Sequence, residues 1–174
     1  MGHMLTALIA SPVLLSKLTQ QYGLRLPVEL PQGFAMLPLS PNTLDFLLNS
    51  PERGDSKLLE GFEFLDSQMV ALFKKLSSDE FVAYVETEYF GGTGGQGAIV
   101  FKGGEQIYVG HDSDFEDGKL IPQSELNARS LDDRAINGAL KLLGVKKSVA
   151  DLDEFDALHL GDYRETEDWI LDED

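Results

Sequence analysis

Apolar residues recur along this chain with two different periods, and the change of period divides it into elements. From Phe81 to Phe90 the run FVAYVETEYF is dominated by aromatic and β-branched residues, which suit a pleated surface better than a helix. It predicts a strand. Because successive side chains alternate, Phe81, Ala83, Val85, Thr87 and Tyr89 share one face, and Val82, Tyr84, Glu86, Glu88 and Phe90 share the other. The link Gly91-Gly92-Thr93-Gly94-Gly95 leads into a second β-type run from Gln96 to Phe101. Lys102-Gly103-Gly104-Glu105 then turns into Gln106-Ile107-Tyr108-Val109. Glycine supplies the positive φ of tight connections, so the whole stretch predicts a three-strand meander around a glycine hairpin of Gly91, Gly92, Gly94 and Gly95.

Elsewhere the period is helical and the boundaries are chemical. Leu5 to Ala10 reads either as a first strand or as the lead-in to a helix. Ser11-Pro12 supplies an N-cap followed by proline at the first helical position, and Gly23 stands where a terminating glycine belongs. Leu24 to Gly33, broken by Pro27 and Pro31, predicts an extended linker ahead of a strand at Phe34 to Leu39. Ser40-Pro41 repeats the capped start for a helix over Asn42 to Asn49. Gly61 to Leu65 suggests a strand, and Asp66 caps a helix from Ser67 to Leu76 with Met69, Leu72, Phe73 and Leu76 at helical spacing. Ser130-Leu131-Asp132-Asp133 resembles a capping box that opens a helix closing at Gly144, with Leu131 on its core face. A short helical segment follows over Asp153 to His159. Together these predict an α+β fold: a mostly antiparallel sheet with a central β-meander, helices packed on it.

Composition narrows the class. The 174 residues, 43% hydrophobic and 25% charged, suit one globular domain with a sizeable core. That domain is taken as residues 4–174, because Met1-Gly2-His3 ahead of Met4 reads as a cloning remnant. No cysteine is present, which removes thiolate zinc sites, cysteine nucleophiles and thiol redox chemistry. No apolar run approaches the roughly 20 residues that span a bilayer, and no basic, apolar leader opens the chain, so a cytoplasmic location is expected. A net charge of −16 repels nucleic acid and anionic membrane surfaces alike. Eleven Asp or Glu and one Arg fall between Val149 and Asp174, marking 149–174 as an acidic C-terminal segment. Tyr163, Trp169, Ile170 and Leu171 interrupt those acids, which argues that the segment packs on the domain.

The chemical motifs mostly exclude themselves. Gly92, Gly94 and Gly97 match G-x-G-x-x-G, but AIVF follows where a dinucleotide fold needs a helix N-terminus, and no G-K-[ST] completes a phosphate loop. From Asp112 the acidic loop through Gly118 resembles a calcium loop, yet glycine falls at the seventh position and glutamine at the twelfth, against the sixth and a glutamate that the geometry requires. It reads as a polar loop. Arg53-Gly54-Asp55 reads as coincidence. Beyond His3 only His111 and His159 are available for nucleophilic catalysis, and no nucleophile elbow or H-E-x-x-H occurs. What remains is Glu86 and Glu88, two same-face carboxylates about 6 to 7 Å apart, a spacing compatible with general acid and base work or a divalent ion.

The segments YVETEYFGGTGGQGAIVF, INGALKLLGV and DEFDALHLGDYRETEDW resemble a group of small uncharacterised bacterial proteins that stand beside the immunity proteins of toxin-secreting bacteria. The resemblance covers about the C-terminal half and implies a bacterial, intracellular setting, with no catalytic set to carry over. The leading expectation is a non-enzymatic intracellular acidic binding protein, an immunity-type inhibitor that masks a basic protein partner. Its partner-binding residues are expected to be Asp162, Glu165, Glu167 and Asp168, with Tyr163 and Trp169 as aromatic anchors, and no cofactor or metal. Two alternatives stand beside it: a carboxylate- or metal-dependent hydrolase on the Glu86/Glu88 strand face, and a homo-oligomer formed through the meander edge with no catalytic role.

Overall fold

The computed structural model describes residues 2–49 and 56–171. The Arg53-Gly54-Asp55 tripeptide and the last three acids, Asp172 to Asp174, lie outside the described residues. Six strands form one antiparallel sheet in the order β2-β3-β1-β4-β5-β6: β1 (His3–Ala10), β2 (Val28–Leu30), β3 (Phe34–Pro38), β4 (Val82–Phe90), β5 (Thr93–Lys102) and β6 (Glu105–Ser113). A small hairpin, β7 (Phe115–Glu116) and β8 (Lys119–Leu120), follows. The helices are α1 (Pro12–Tyr22), α2 (Pro41–Leu48), α3 (Ser67–Leu76), α4 (Gln123–Ala128), α5 (Ala135–Leu143), α6 (Glu154–Ala157) and α7 (Asp168–Leu171). The expected α+β class is the observed one. Among the described residues, no helix is long and apolar enough to cross a membrane.

Helices cover the sheet on both faces. Leu8, Leu37, Tyr84, Ile99 and Phe101 point toward α1, α2 and α3, where they meet Leu15, Leu18, Leu44, Leu47, Met69 and Phe73. Ile9, Met36, Val85 and Val100 point the other way, toward Ile136 and Leu140 of α5 and toward Leu158, Leu160 and Trp169 of the C-terminal segment. This explains why Leu5 to Ala10 shows no alternation of apolar and polar residues: β1 is a central strand buried on both sides. Tyr84 and Phe73 are fully buried and stacked at 5.6 Å, a pair that adds about 0.5 to 1.5 kcal/mol beyond its area.

Local signals place most helix ends. The Ser11 hydroxyl accepts the Leu14 N–H, that of Ser40 the Thr43 N–H, and Asp66 takes the N–H groups of both Gln68 and Met69. Each such cap contributes on the order of 1 kcal/mol. Gly23 and Gly144 close α1 and α5 in the left-handed conformation.

Other expectations are corrected by longer-range contacts. The stretch Leu24 to Gly33 is not all linker, because Val28 to Leu30 pairs with β3; flanking prolines hold β2 to three residues at the sheet edge. The Gly91 to Gly95 link is a two-residue turn, Gly91-Gly92, with φ of +63° and +87°; Phe90 pairs with Thr93, so Gly94 and Gly95 lie inside β5. Gly61 to Leu65 forms a loop and not a strand. His111 to Ser113 end β6 and are not loop. Ser130 caps only a 3-10 turn over Leu131–Asp133, and Leu131 is exposed. His3, set aside in the sequence, begins β1; its ring bonds Thr87 Oγ1 at 2.7 Å and the Leu160 carbonyl at 3.3 Å.

Candidate functional site

Glu86 and Glu88 share a strand face, as alternation requires, but they do not share an environment. Glu86 is 4% exposed, and its oxygens accept the Glu63 N–H at 2.6 Å, the Phe64 N–H at 3.3 Å and the Tyr84 hydroxyl at 2.6 Å. Burial pushes its carboxyl above the usual range, and the three donors oppose the rise without cancelling it. The carboxylate thus straps the loop between Leu59 and Leu65 onto the sheet. The same loop is seated by shape. A Cβ at Gly97 would come within 2.6 Å of the Phe62 ring, so glycine is what lets that ring lie on β5, while Gly61 rests against the His111 imidazole. Glu88, two residues on, is exposed.

Over this end of the sheet lies a depression of about 490 Å³ lined by Glu88, Phe90, Gln96, His111, Ser113 and the strap. Glu86 also borders this depression, but with three of its roughly four acceptor positions taken it serves as an anchor for the strap. Among the described residues, no group of three or more His, Asp or Glu side chains is placed to hold a metal ion.

On the opposite face the sheet supplies a helix cap that no local signal announces. Asp112 Oδ2 accepts the Ala135 N–H at 2.8 Å, and Gln96 Oε1 accepts the Ile136 N–H at 3.1 Å. The other Asp112 oxygen pairs with Arg134 at 2.7 Å, and Arg134 and Gln96 both donate to the Tyr89 hydroxyl. Burial raises the Tyr89 pKa, so that phenol stays protonated. Asp114, 4% exposed, accepts the Gly94 N–H. Two acids of the stretch that resembled a calcium loop are therefore spent elsewhere, Asp112 on the N-terminus of α5, where a carboxylate complements free N–H groups and the helix dipole, and Asp114 on β5.

The acidic C-terminal segment is docked on the domain through backbone contacts. β3 covers Ala7 to Ala10 of β1 but leaves the start of that strand open. Arg164 to Thr166 fills the opening: Met4 N–H donates to the Arg164 carbonyl at 2.7 Å, and Thr6 N–H donates to Thr166 Oγ1 at 2.9 Å. Tyr163 and Trp169 meet edge to face at 4.6 Å, and Trp169 is 9% exposed within the core. Its ring therefore anchors the segment to its own domain. Asp162, Glu165 and Glu167 are exposed; Asp168 is half-buried and accepts the Glu165 N–H.

One feature escaped the sequence reading. An apolar groove lies beside this segment, lined in part by Leu26 and Phe46. Its signal was Phe46, which stands about 200° around α2 from Leu44 and so falls off the buried stripe of Leu44 and Leu47. No protein-family model matches the chain, and no curated protein or solved structure shows significant similarity to it.

Proposed function

We propose that the chain is a non-enzymatic, cytoplasmic acidic binding protein, an immunity-type inhibitor whose C-terminal segment masks a basic protein partner. The observation that carries this reading is the docking of 162–168 on β1. Backbone bonds from Met4 and Thr6 hold the segment while Asp162, Glu165 and Glu167 face solvent. Carboxylates fixed on a rigid backbone lose little freedom when a partner arrives, and a net charge of −16 draws a basic surface in. The occupied acceptors of Glu86 weigh against the hydrolase reading. Two features of β6 weigh against self-association. Val100 faces Tyr108 while Phe101 faces Gln106, leaving a bulge at Ile107, and Arg129 donates to the Ser113 carbonyl. Both blunt an edge strand.

The test compares the intact protein with the triple variant Asp162→Asn, Glu165→Gln, Glu167→Gln as bait in lysate of the native host, at low and high salt. A basic protein retained by the intact chain, released by salt and missed by the variant is the expected result. Equal capture by both baits would refute the assignment of the acidic segment.

A further inference from the structure

The groove beside the acidic segment has a volume of about 590 Å³. Leu37 and Pro38 of β3 contribute to its lining, together with Phe46 of α2, Leu26 of the α1–β2 connection, and Trp169 and Ile170 of the C-terminal segment. Leu26 and Phe46 are 69% and 62% exposed, so two large apolar side chains of one concavity stand in water. Burying them under an occupant returns roughly 25 cal/mol for each Å² covered. The charge around the groove selects the occupant. Glu167 belongs to its lining, and Glu165 is exposed two residues earlier on the same docked segment. Arg25, the one basic residue among the lining residues, donates to the Ile170 carbonyl. A second copy of this chain would bring another −16 to the same place, whereas a cation-flanked apolar segment meets both the groove and its acids.

We propose that this groove is the anchor site of the acidic surface and receives a large apolar side chain, flanked by Lys or Arg, from the basic partner. The inference rests on the masking function and adds its specificity element. The carboxylates govern encounter, and the groove governs residence, as buried anchors do at protein interfaces.

Two short synthetic peptides of equal positive charge serve as probes, one with tryptophan and leucine at its centre and the other with serines there. Each is titrated into methyl-labelled protein. The apolar-centred peptide is expected to bind about 10-fold more tightly, equivalent to about 1.4 kcal/mol, and to shift the methyl signals of Leu26, Leu37 and Ile170. Phe46→Ser, at an exposed position that leaves folding intact, is expected to abolish the preference, and Leu26→Ser to reduce it. The triple carboxylate variant is expected to weaken both peptides equally. Salt-sensitive binding with no preference between the peptides overturns the anchor site alone. Binding of the apolar-centred peptide whose affinity is changed neither by salt nor by the carboxylate substitutions overturns the masking reading, and binding of neither peptide overturns both.

Discussion

Removing the Glu86 carboxylate tests whether that side chain is a structural strap. In Glu86→Ala the N–H groups of Glu63 and Phe64 and the Tyr84 hydroxyl lose their acceptor, two of them at 2.6 Å. A hydrogen bond to a charged group is worth about 1.5 to 3 kcal/mol, and the 3.3 Å contact to Phe64 contributes least. The removed charge was itself costly to bury, which returns part of the loss, so a net destabilisation of about 3 kcal/mol is expected. Glu86→Gln keeps one oxygen for the Glu63 N–H and presents an amide donor where Phe64 and Tyr84 donated. The hydroxyl can rotate to accept but the Phe64 N–H cannot, so about 1 kcal/mol is expected.

The pH dependence follows from the raised carboxyl pKa. The folded state holds this proton more tightly than the unfolded chain, so the group's contribution is fully present below the ordinary value of 4.5 and is lost as pH rises through the folded value. Glutamine does not titrate. The gap between the parent protein and Glu86→Gln should therefore shrink from pH 5 toward pH 8. Urea unfolding across that range measures the gap, with unchanged slopes showing that stability alone has moved. Amide exchange at Glu63 and Phe64 should accelerate in Glu86→Ala ahead of the rest of the sheet. A gap that widens with pH, or no selective exchange in the strap, would refute the assignment.

Three further outcomes are expected. Gly97→Ala sets a methyl 2.6 Å from the Phe62 ring, so the ring must lift and stability should fall by about 1 to 3 kcal/mol in thermal or urea unfolding. Trp169→Ala removes the buried ring that meets Tyr163 edge to face and should cost about 3 to 5 kcal/mol, whereas the Asp162, Glu165, Glu167 triple variant should unfold at or above the parent temperature because those groups face solvent. Asp112→Asn should lower stability by about 1 to 2 kcal/mol through the Ala135 cap and the Arg134 pair, seen as faster amide exchange in the first turn of α5.

The elements legible in the sequence are those whose causes lie within a few residues. Ser11-Pro12, Ser40-Pro41 and Asp66 open helices because a cap bonds the N–H two or three residues ahead. Gly23 and Gly144 close them because only a residue at ease with positive φ fits there. The meander follows from the β-rich runs and paired glycines. The density of acids between Val149 and Asp174 is likewise a property of sequence alone.

What each acid does depended on partners far along the chain. Asp112 and Gln96 cap a helix that begins 23 and 39 residues after them, where no spacing rule reaches. Glu86 is an anchor and not half of a carboxylate pair because a loop more than 20 residues earlier folds over it. Trp169 turns inward because β3 is too short to cover the start of β1, and the open backbone there binds the C-terminal segment. Phe46 is an unremarkable surface position in α2 until Leu26 and Ile170 are brought beside it. Caps and turns are satisfied by neighbours within the chain, whereas burial, electrostatic environment and concave surface exist only once distant segments have met.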